Sequence, residues 1–548
     1  MLRAATQRVA QPFAQRAARP LSTTTYGTNM TKIVCTLGPS SETAERVQEL
    51  VDNGMTCTRL NFSHVGDYSE PAGKLALVRG ARGEHMRLEG SLEARLERDL
   101  PPNLRAVLVD TKGPEVRTGP LPGNADVLEI ADGATVVCTF ADVSGDAPPE
   151  AGAPLRLHVD YESLPSTVSV GGLVLLDDGL IALRVTSIET TGVTCVAENA
   201  GPIKARKGVN LPDTILDLPA LTAKDKEDLA WSVDVGADYV ALSFVRNASN
   251  VRSCRAFLER CRARAGSDAP LPLIVSKIEN QEGVDHFDEI LEASDGIMVA
   301  RGDLGVEIAY AKVFAAQRMM VAKCNAAGKP VIVATQMLDS MMRMPRPTRA
   351  EVTDVAAAVL DGADAVMLSG ETAAGKYPVQ ALAAMRAICA EADAIRDAAP
   401  PNAAVEPLAD VELDAVAKAA VDAAHVLGAK LITCITMSGS LARAVARHRP
   451  NAPVLAFCYS ADVARRLQLH RAIHPVLLDA CATDQNPYLA GTRMGLLRAE
   501  SIRASKELGH IKDGDRVVSV DRNKGKMHDA FSLGTSLKIF TVGGDVDA

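Results

Sequence analysis

Eight short runs rich in Val, Ile and Leu recur along this chain, and few folds accommodate them. Each ends in a polar or glycine-containing cluster and is usually followed by an amphipathic helical stretch. They are TKIVCTLG (31–38), TCTRLNFS (56–63), RAVLVDT (105–111), DYVALSF (238–244), PLIVSKI (272–278), GIMVARG (296–302), KPVIVATQ (329–336) and DAVMLSG (364–370). Near-continuous apolar strands alternating with helices imply a parallel sheet covered on its outer face. Eight such units are the number that closes a TIM (β/α)8 barrel. Helix punctuation agrees: Thr222 with Asp225 predicts a capping box, and Gly236 predicts a helix stop just before DYVALSF.

One unit is interrupted. Between Thr111 and Thr222 the texture changes to alternating strands such as LRLHVDY and LIALRVTSI, separated by turn signals including Asp132-Gly133, Asp178-Gly179 and Gly192. This predicts a small β-barrel domain inserted at the barrel's C-terminal rim. The Pro- and Ala-rich stretch AAPPNAAVEP (398–407) predicts a linker, and the segments beyond it, such as AKLITCIT and APVLAFCY, predict an α/β domain. The expected division is therefore a barrel over 29–112 and 213–395, an inserted lid over 113–212 and a C-terminal α/β domain over 408–548.

Composition narrows the class of partner. The 548 residues carry 59 Lys and Arg against 68 Asp and Glu, a net charge of -9, and few aromatics, so no nucleic-acid partner is expected. Eleven cysteines without a C-x-x-C pair fit neither a zinc ribbon nor a disulfide framework, and most are expected to act as small buried hydrophobes. No apolar run is long enough for a membrane-spanning helix. The opening stretch, with Arg3, Arg8, Arg16 and Arg19 and no acid before Glu42, has the composition of an organelle transit peptide over residues 1–28. It favours the mitochondrial matrix over a plastid; as a plain basic tail it would leave the protein in the cytoplasm.

Polar residues at the C-terminal ends of barrel strands converge on one mouth. Those ends carry Arg59, Asn61 and Ser63; Asp110 and Thr111; Lys277 and Glu279; Arg301 and Asp303; Thr335 and Gln336; Ser369 and Glu371. Lys277 and Glu279 are two apart, so strand alternation points both the same way. Glu279 and Asp303 together suit one hard divalent cation with positions left for substrate oxygens. A lysine beside two carboxylates, with an arginine opposite, suits a phosphate ester.

The segment IVSKIENQEGV (274–284) resembles the active-site signature of the pyruvate kinase family. TRLNFSH (58–64), DTKGPEVRTG (110–119), KGVNLP (207–212), MVARGDLGVEI (298–308), ATQMLDSM (334–341), PRPTRAE (345–351) and DAVMLSGETA (364–373) are similar to that family in the same order. The resemblance implies transfer of a phosphoryl group from phosphoenolpyruvate to ADP, giving pyruvate and ATP. It implies that Lys277 stabilises the transferring phosphoryl group and that Glu279 and Asp303 hold Mg2+, or Mn2+ in its place. Arg59 would bind the substrate phosphate, and Thr335 with the backbone of Gly302 and Asp303 its carboxylate. Asn61, Ser63, Asp110 and Thr111 would hold K+, with Glu115 accompanying dependence on that ion. Arg117, Lys207, His64 and Asn61 would lie at the nucleotide. Thr335 and Ser369 would relay the proton that completes the reaction. The family also implies a homotetramer.

Local departures from the family pattern are Val65 before Gly66, a longer connection over 83–102, and Ala309 where proline is usual. In the C-terminal domain, TMSGSL (436–441) is either an ordinary turn or a phosphorylated-effector cradle built on Thr436, Ser438, Gly439 and Ser440. Arg522, Lys524 and Lys526 add positive charge in the later segment 521–536.

Overall fold

The computed structural model describes residues 29–63, 65–83, 103–147, 150, 153–397, 408–477, 491–527 and 530–543. The N-terminal stretch 1–28, most of the long connection (84–102), the Pro- and Ala-rich stretch 398–407 and His64 lie outside the described residues.

All eight apolar runs are strands of one closed parallel barrel: Lys32–Thr36, Cys57–Asn61, Ala106–Asp110, Tyr239–Leu242, Leu273–Ile278, Gly296–Ala300, Val331–Ala334 and Ala365–Leu368. Each strand pairs with its neighbours in sequence, and the first closes on the eighth through Lys32 opposite Ala365. Continuous burial follows from the architecture, because one face of each strand fills the barrel and the other meets the surrounding helices. Val34, Leu108, Tyr239, Met298, Ile332 and Met367 fill the interior, while Ile33, Val107, Val240 and Val299 pack outward. Thr222 and Asp225 form the expected reciprocal capping box on the helix Ala223–Asp234, and Gly236 adopts φ 63° beyond its end. Val65 is buried in the outer core, so that departure is absorbed by packing.

The inserted region forms a six-stranded sheet and a two-stranded antiparallel ribbon (Val127–Ile130 with Gly201–Lys204) around an apolar core of its own. The C-terminal region has a five-stranded sheet, four strands parallel and the edge strand Ala530–Thr541 antiparallel, flanked by helices. It docks on the barrel's N-terminal face. Leu469 enters the barrel's interior cluster as a plug, and Arg449 bonds both oxygens of Asp364, at 2.8 and 3.0 Å. Arg465 pairs with Asp238 at 2.8 Å, and Gln468 donates to the Leu104 carbonyl at 3.0 Å. The opposite, C-terminal face of the barrel is left open beneath the inserted domain. No helix among the described residues is long and apolar enough to cross a membrane.

Candidate active site

The centre of the barrel mouth is a buried knot of charge. Lys277, at the end of the fifth strand, is 8% exposed. Its ammonium donates to Ser243 Oγ at 2.7 Å and lies 3.2 Å from Asp110 Oδ1 and 2.9 Å from Glu279 Oε1. Arg59 Nε donates to the other Asp110 oxygen at 2.6 Å, and its Nη1 donates to Thr36 Oγ1 at 3.1 Å. Burial alone would lower the Lys277 ammonium, but Asp110 and Glu279 outweigh it and hold it above the usual lysine range. Burial likewise opposes ionisation of Asp110, which Arg59 and Lys277 hold below the ordinary carboxylate range. The mouth therefore presents two fixed cations.

Glu279 is fully buried, and burial raises its carboxyl to about 7 against the pull of Lys277. Its Oε2 accepts the Phe244 N–H at 2.6 Å, and its Oε1 is paired with the Lys277 ammonium at 2.9 Å. An ionised carboxylate offers about four acceptor sites, so these two partners leave lone pairs for a metal cation. Asp303, on the helix Arg301–Glu307, lines the cleft over the mouth, and its negative charge acts on both Glu279 and Lys277. Two carboxylates fit a Mg2+ that completes its octahedron with substrate and water oxygens. Among the described residues there is no cluster of three or more His, Cys, Asp or Glu that could hold a metal by itself.

The seventh strand ends in a strained turn. Thr335 and Gln336 have φ 69° and 52°, conformations that cost β-branched and bulky residues about 1–3 kcal/mol each. Arg301 holds them by donating to the Thr335 carbonyl at 2.8 Å while pairing with Asp354 at 2.8 Å. Thr335 Oγ1 accepts the Gly302 N–H at 2.7 Å, so these two substrate-carboxylate candidates meet at one point. Ser369 Oγ is buried without a hydrogen-bond partner, and the neighbouring Glu371 accepts the backbone N–H groups of Ser369 (2.7 Å) and Leu338 (3.0 Å). One carboxylate thereby ties the two turns together.

Asn61 and Asp110 are directly paired at the ends of the second and third strands. Ser63 Oγ donates to Asn61 Oδ1 at 3.0 Å, and Ser243 Oγ donates to the Thr111 carbonyl at 2.7 Å. The four proposed K+ ligands thus sit on adjacent strand ends beside the lysine knot. Ser243, on the fourth strand's end, touches Lys277, Asp110 and Thr111 and was missed by the sequence reading. The rule that polar residues at strand ends converge on the mouth would have found it.

Arg117 and Lys207 lie side by side at the hinges of the inserted domain, lining a cleft of about 290 Å³ with Asp178, Asp303 and Glu307. Both are already paired: Arg117 with Glu115 at 2.5 Å and Lys207 with Asp177 at 2.9 Å. In the C-terminal domain Thr436 Oγ1 accepts the N–H of Gly439, which has φ 76° and opens the helix Ser440–Arg447. Ser438 Oγ donates to Ser440 Oγ at 3.0 Å. The segment joins the strand Leu431–Thr436 to that helix. Arg522 pairs with Asp410 at 2.6 Å; the side chains of Lys524 and Lys526 lie outside the described residues.

A parallel barrel with buried cations and carboxylates at its mouth, covered by a hinged β domain, defines a barrel phosphotransferase. Comparison with known proteins makes this specific. Residues 28–382 match the family model for the pyruvate kinase barrel domain, and residues 414–530 match that for the pyruvate kinase alpha/beta domain. The pyruvate kinase of Clostridium acetobutylicum is 41% identical over 494 residues, covering 89% of this chain and 95% of that protein. Human pyruvate kinase PKLR is 45% identical over 451 residues, covering 82% and 75%. Among solved structures, a pyruvate kinase from Cryptosporidium parvum superposes with a TM-score of 0.76 at 36% identity, covering 92% of this chain and 95% of that one. The chain belongs to the pyruvate kinase family, and its reaction is phosphoryl transfer from phosphoenolpyruvate to ADP, giving pyruvate and ATP.

Proposed function

We propose that the Lys277 knot is the site of this transfer, and the observation that carries the reading is a charged lysine fixed by three buried partners at the barrel mouth. Phosphoryl transfer asks for positioning and charge stabilisation more than for covalent chemistry. Arg59 and Lys277 face the phosphoryl group as it leaves the enol oxygen and bonds to an oxygen of the ADP β-phosphate. Arg117 and Lys207 exchange their carboxylates for the nucleotide phosphates. Gly302 and Asp303 N–H groups with Thr335 hold the substrate carboxylate. The enolate left behind takes a proton at carbon from a water ordered by Thr335 and Ser369, a bare hydroxyl being too weak an acid at neutral pH.

Glu279 and Asp303 would hold Mg2+ or Mn2+, which supplies Lewis-acid stabilisation of the phosphate and enolate oxygens. Asn61, Ser63, Asp110 and Thr111, an all-oxygen donor set, would hold K+. The assay that tests the reading is pyruvate formation from phosphoenolpyruvate plus ADP, with and without each cation. Absence of turnover with both cations present would leave a catalytically silent relative.

Three further parts of the reading are separately testable. The exposed apolar side chains Tyr310, Phe314 and Met344 support self-association as a homotetramer, which light scattering measures. The Thr436–Ser440 turn supports a phosphorylated effector, tested by titrating sugar phosphates. The acid-free, Arg-rich leader supports import into the mitochondrial matrix, tested by fusing residues 1–30 to a fluorescent reporter.

A further inference from the structure

The inserted domain is tied to the barrel by a buried carboxylate at each of its two hinges. On the outgoing hinge, Gly113 N–H donates to Asp225 Oδ1 at 2.9 Å. Asp225 also closes the capping box of its own helix, which already accounts for its burial. On the return hinge, Asn210 Nδ2 donates to Glu307 Oε1 at 2.7 Å. Glu307 has no capping role. It is the last residue of the helix Arg301–Glu307, and it is 9% exposed.

The positions of the two partners give that bond its meaning. Asn210 belongs to the short strand Val209–Asn210, which pairs with the lid strand Leu173–Leu176. It stands three residues beyond Lys207, whose backbone N–H is fixed by Thr118 Oγ1 at 2.8 Å. At the other side, the helix ending in Glu307 begins with Arg301, Gly302 and Asp303. A second feature lies alongside: the lid turn at Gly179, with φ 81°, faces Val306, whose Cγ1 would stand at ordinary van der Waals distance, 3.6 Å, from an added Cβ. The helix therefore carries substrate-binding groups at one end and the lid at the other.

We propose that Glu307 is a positioning residue that latches the lid, through Asn210, to the helix bearing Gly302 and Asp303. The inference deepens the proposed nucleotide role of Lys207 and rests on it. Because a short helix moves as a rigid unit, ordering its first turn around the substrate carboxylate also orders Glu307, and with it the strand that leads back to Lys207. The latch makes the phosphoenolpyruvate corner and the nucleotide clamp parts of one body. A charged acceptor is not required for this; an amide oxygen in the same place accepts the same Asn210 hydrogen bond.

Steady-state kinetics on the full chain tests it with Glu307→Ala, Glu307→Gln, Asn210→Ala and the double alanine variant, and with Lys207→Ala as the reference. Loss of a hydrogen bond to a buried charged group predicts a rise in KM for ADP of about tenfold in Glu307→Ala and Asn210→Ala. Binding of phosphoenolpyruvate in the absence of ADP is expected to stay within about twofold, Glu307→Gln to recover most of the loss, and the double variant to be no worse than either single one. The proposal is overturned if phosphoenolpyruvate binding without ADP weakens as much as KM for ADP rises, if Glu307→Gln is as impaired as Glu307→Ala, or if the two alanine effects add. Should Glu307→Ala fail to fold, Asn210→Ala and Glu307→Gln decide the question unaided. If Lys207→Ala leaves KM for ADP unchanged, the nucleotide reading has failed and takes the latch with it. A large Lys207 effect beside silent Glu307 and Asn210 variants removes the latch alone.

Discussion

Replacing Lys277 by Met removes a charge while keeping most of the side chain's bulk, and its consequences can be worked from the three contacts of Nζ. The substrate phosphate keeps Arg59, which stays anchored on Asp110 at 2.6 Å, so ground-state binding of phosphoenolpyruvate should survive. The transition state loses the cation that stands 2.7 Å from Ser243 and 2.9 Å from Glu279. Loss of a principal charge stabiliser is expected to lower kcat by roughly 10³-fold or more, about 4 kcal/mol at 1.36 kcal/mol per decade. Breaking a buried ion pair by removing one partner costs about 3–5 kcal/mol of stability when the other charge stays uncompensated. Here Asp110 retains Arg59, and Glu279, already raised to about 7 by burial, can take up a proton, so the stability loss at neutral pH should fall below that range. The assay is pyruvate release coupled to a dehydrogenase, with phosphoenolpyruvate binding measured by calorimetry and folding by a thermal melt. Ser243→Ala, which removes one anchor of Nζ but not its charge, should lower kcat far less, by about tenfold. A folded Lys277→Met protein with turnover within tenfold of the parent would refute the assignment, as would a Ser243→Ala variant more damaged than Lys277→Met.

Leu469→Ala should unplug the barrel base and cost about 2–5 kcal/mol in denaturant unfolding, while leaving KM for both substrates unchanged because the mouth lies at the other end. His470 is buried, and burial lowers its imidazole to about 3, with Arg443, Arg449 and Lys32 opposing protonation and Asp364 favouring it. The unfolded chain binds this proton near pH 6.5 and the fold does not, so stability present above that pH is lost as pH falls. The loss is about 2 kcal/mol by pH 5, and a His470→Gln variant should show a correspondingly flatter decline between pH 7 and 5. Activity should require K+ and respond weakly to Na+; titration against a tetramethylammonium counter-salt at fixed ionic strength measures this. Glu115→Lys, which replaces the carboxylate now paired with Arg117 at 2.5 Å, should lower the K+ requirement. Full activity of the parent without K+ would remove the cation site.

The barrel was legible in the sequence because a strand buried on both faces needs an apolar residue at nearly every position. Runs such as LIVSKI and AVML have few other uses. The central site residues were legible for the complementary reason: polar side chains such as Lys277 and Glu279 at the ends of those runs have no place in the core unless they serve the mouth. Ser243 escaped attention because a hydroxyl beside an aromatic residue carries no obvious chemistry, although its position at a strand end was as informative as that of Asp110. The plug was not legible at all. ARRLQLHRAI looks like a surface helix rich in arginine, yet Arg465, Arg471 and Leu469 are buried against the barrel. Their partners, Asp238, Asp364 and Asp393, come from distant parts of the chain, and no local pattern connects residues that only the tertiary fold brings together.

The cations around the barrel mouth fall into two physical kinds, and the distinction bears on how the proposed nucleotide clamp would work. Lys277 and Arg59 are held by Asp110 and Glu279, which are 1% exposed or less at the side chain, so their charges are fixed whether or not substrate is present. Arg117 and Lys207 are 29% and 35% exposed, and the carboxylates that quench them, Glu115 and Asp177, are 20% exposed. Ion pairs that wet contribute about 0–1 kcal/mol each, so a nucleotide phosphate with its greater charge displaces them at little cost. The clamp is therefore neutralised but not locked, while the barrel mouth keeps its charge. On the proposed reading, a nucleotide that recruits Arg117 and Lys207 would pull on both hinges at once. It would bring the lid down on cations already fixed by Asp110 and Glu279, and such preorganisation is what makes charge stabilisation effective in the transition state.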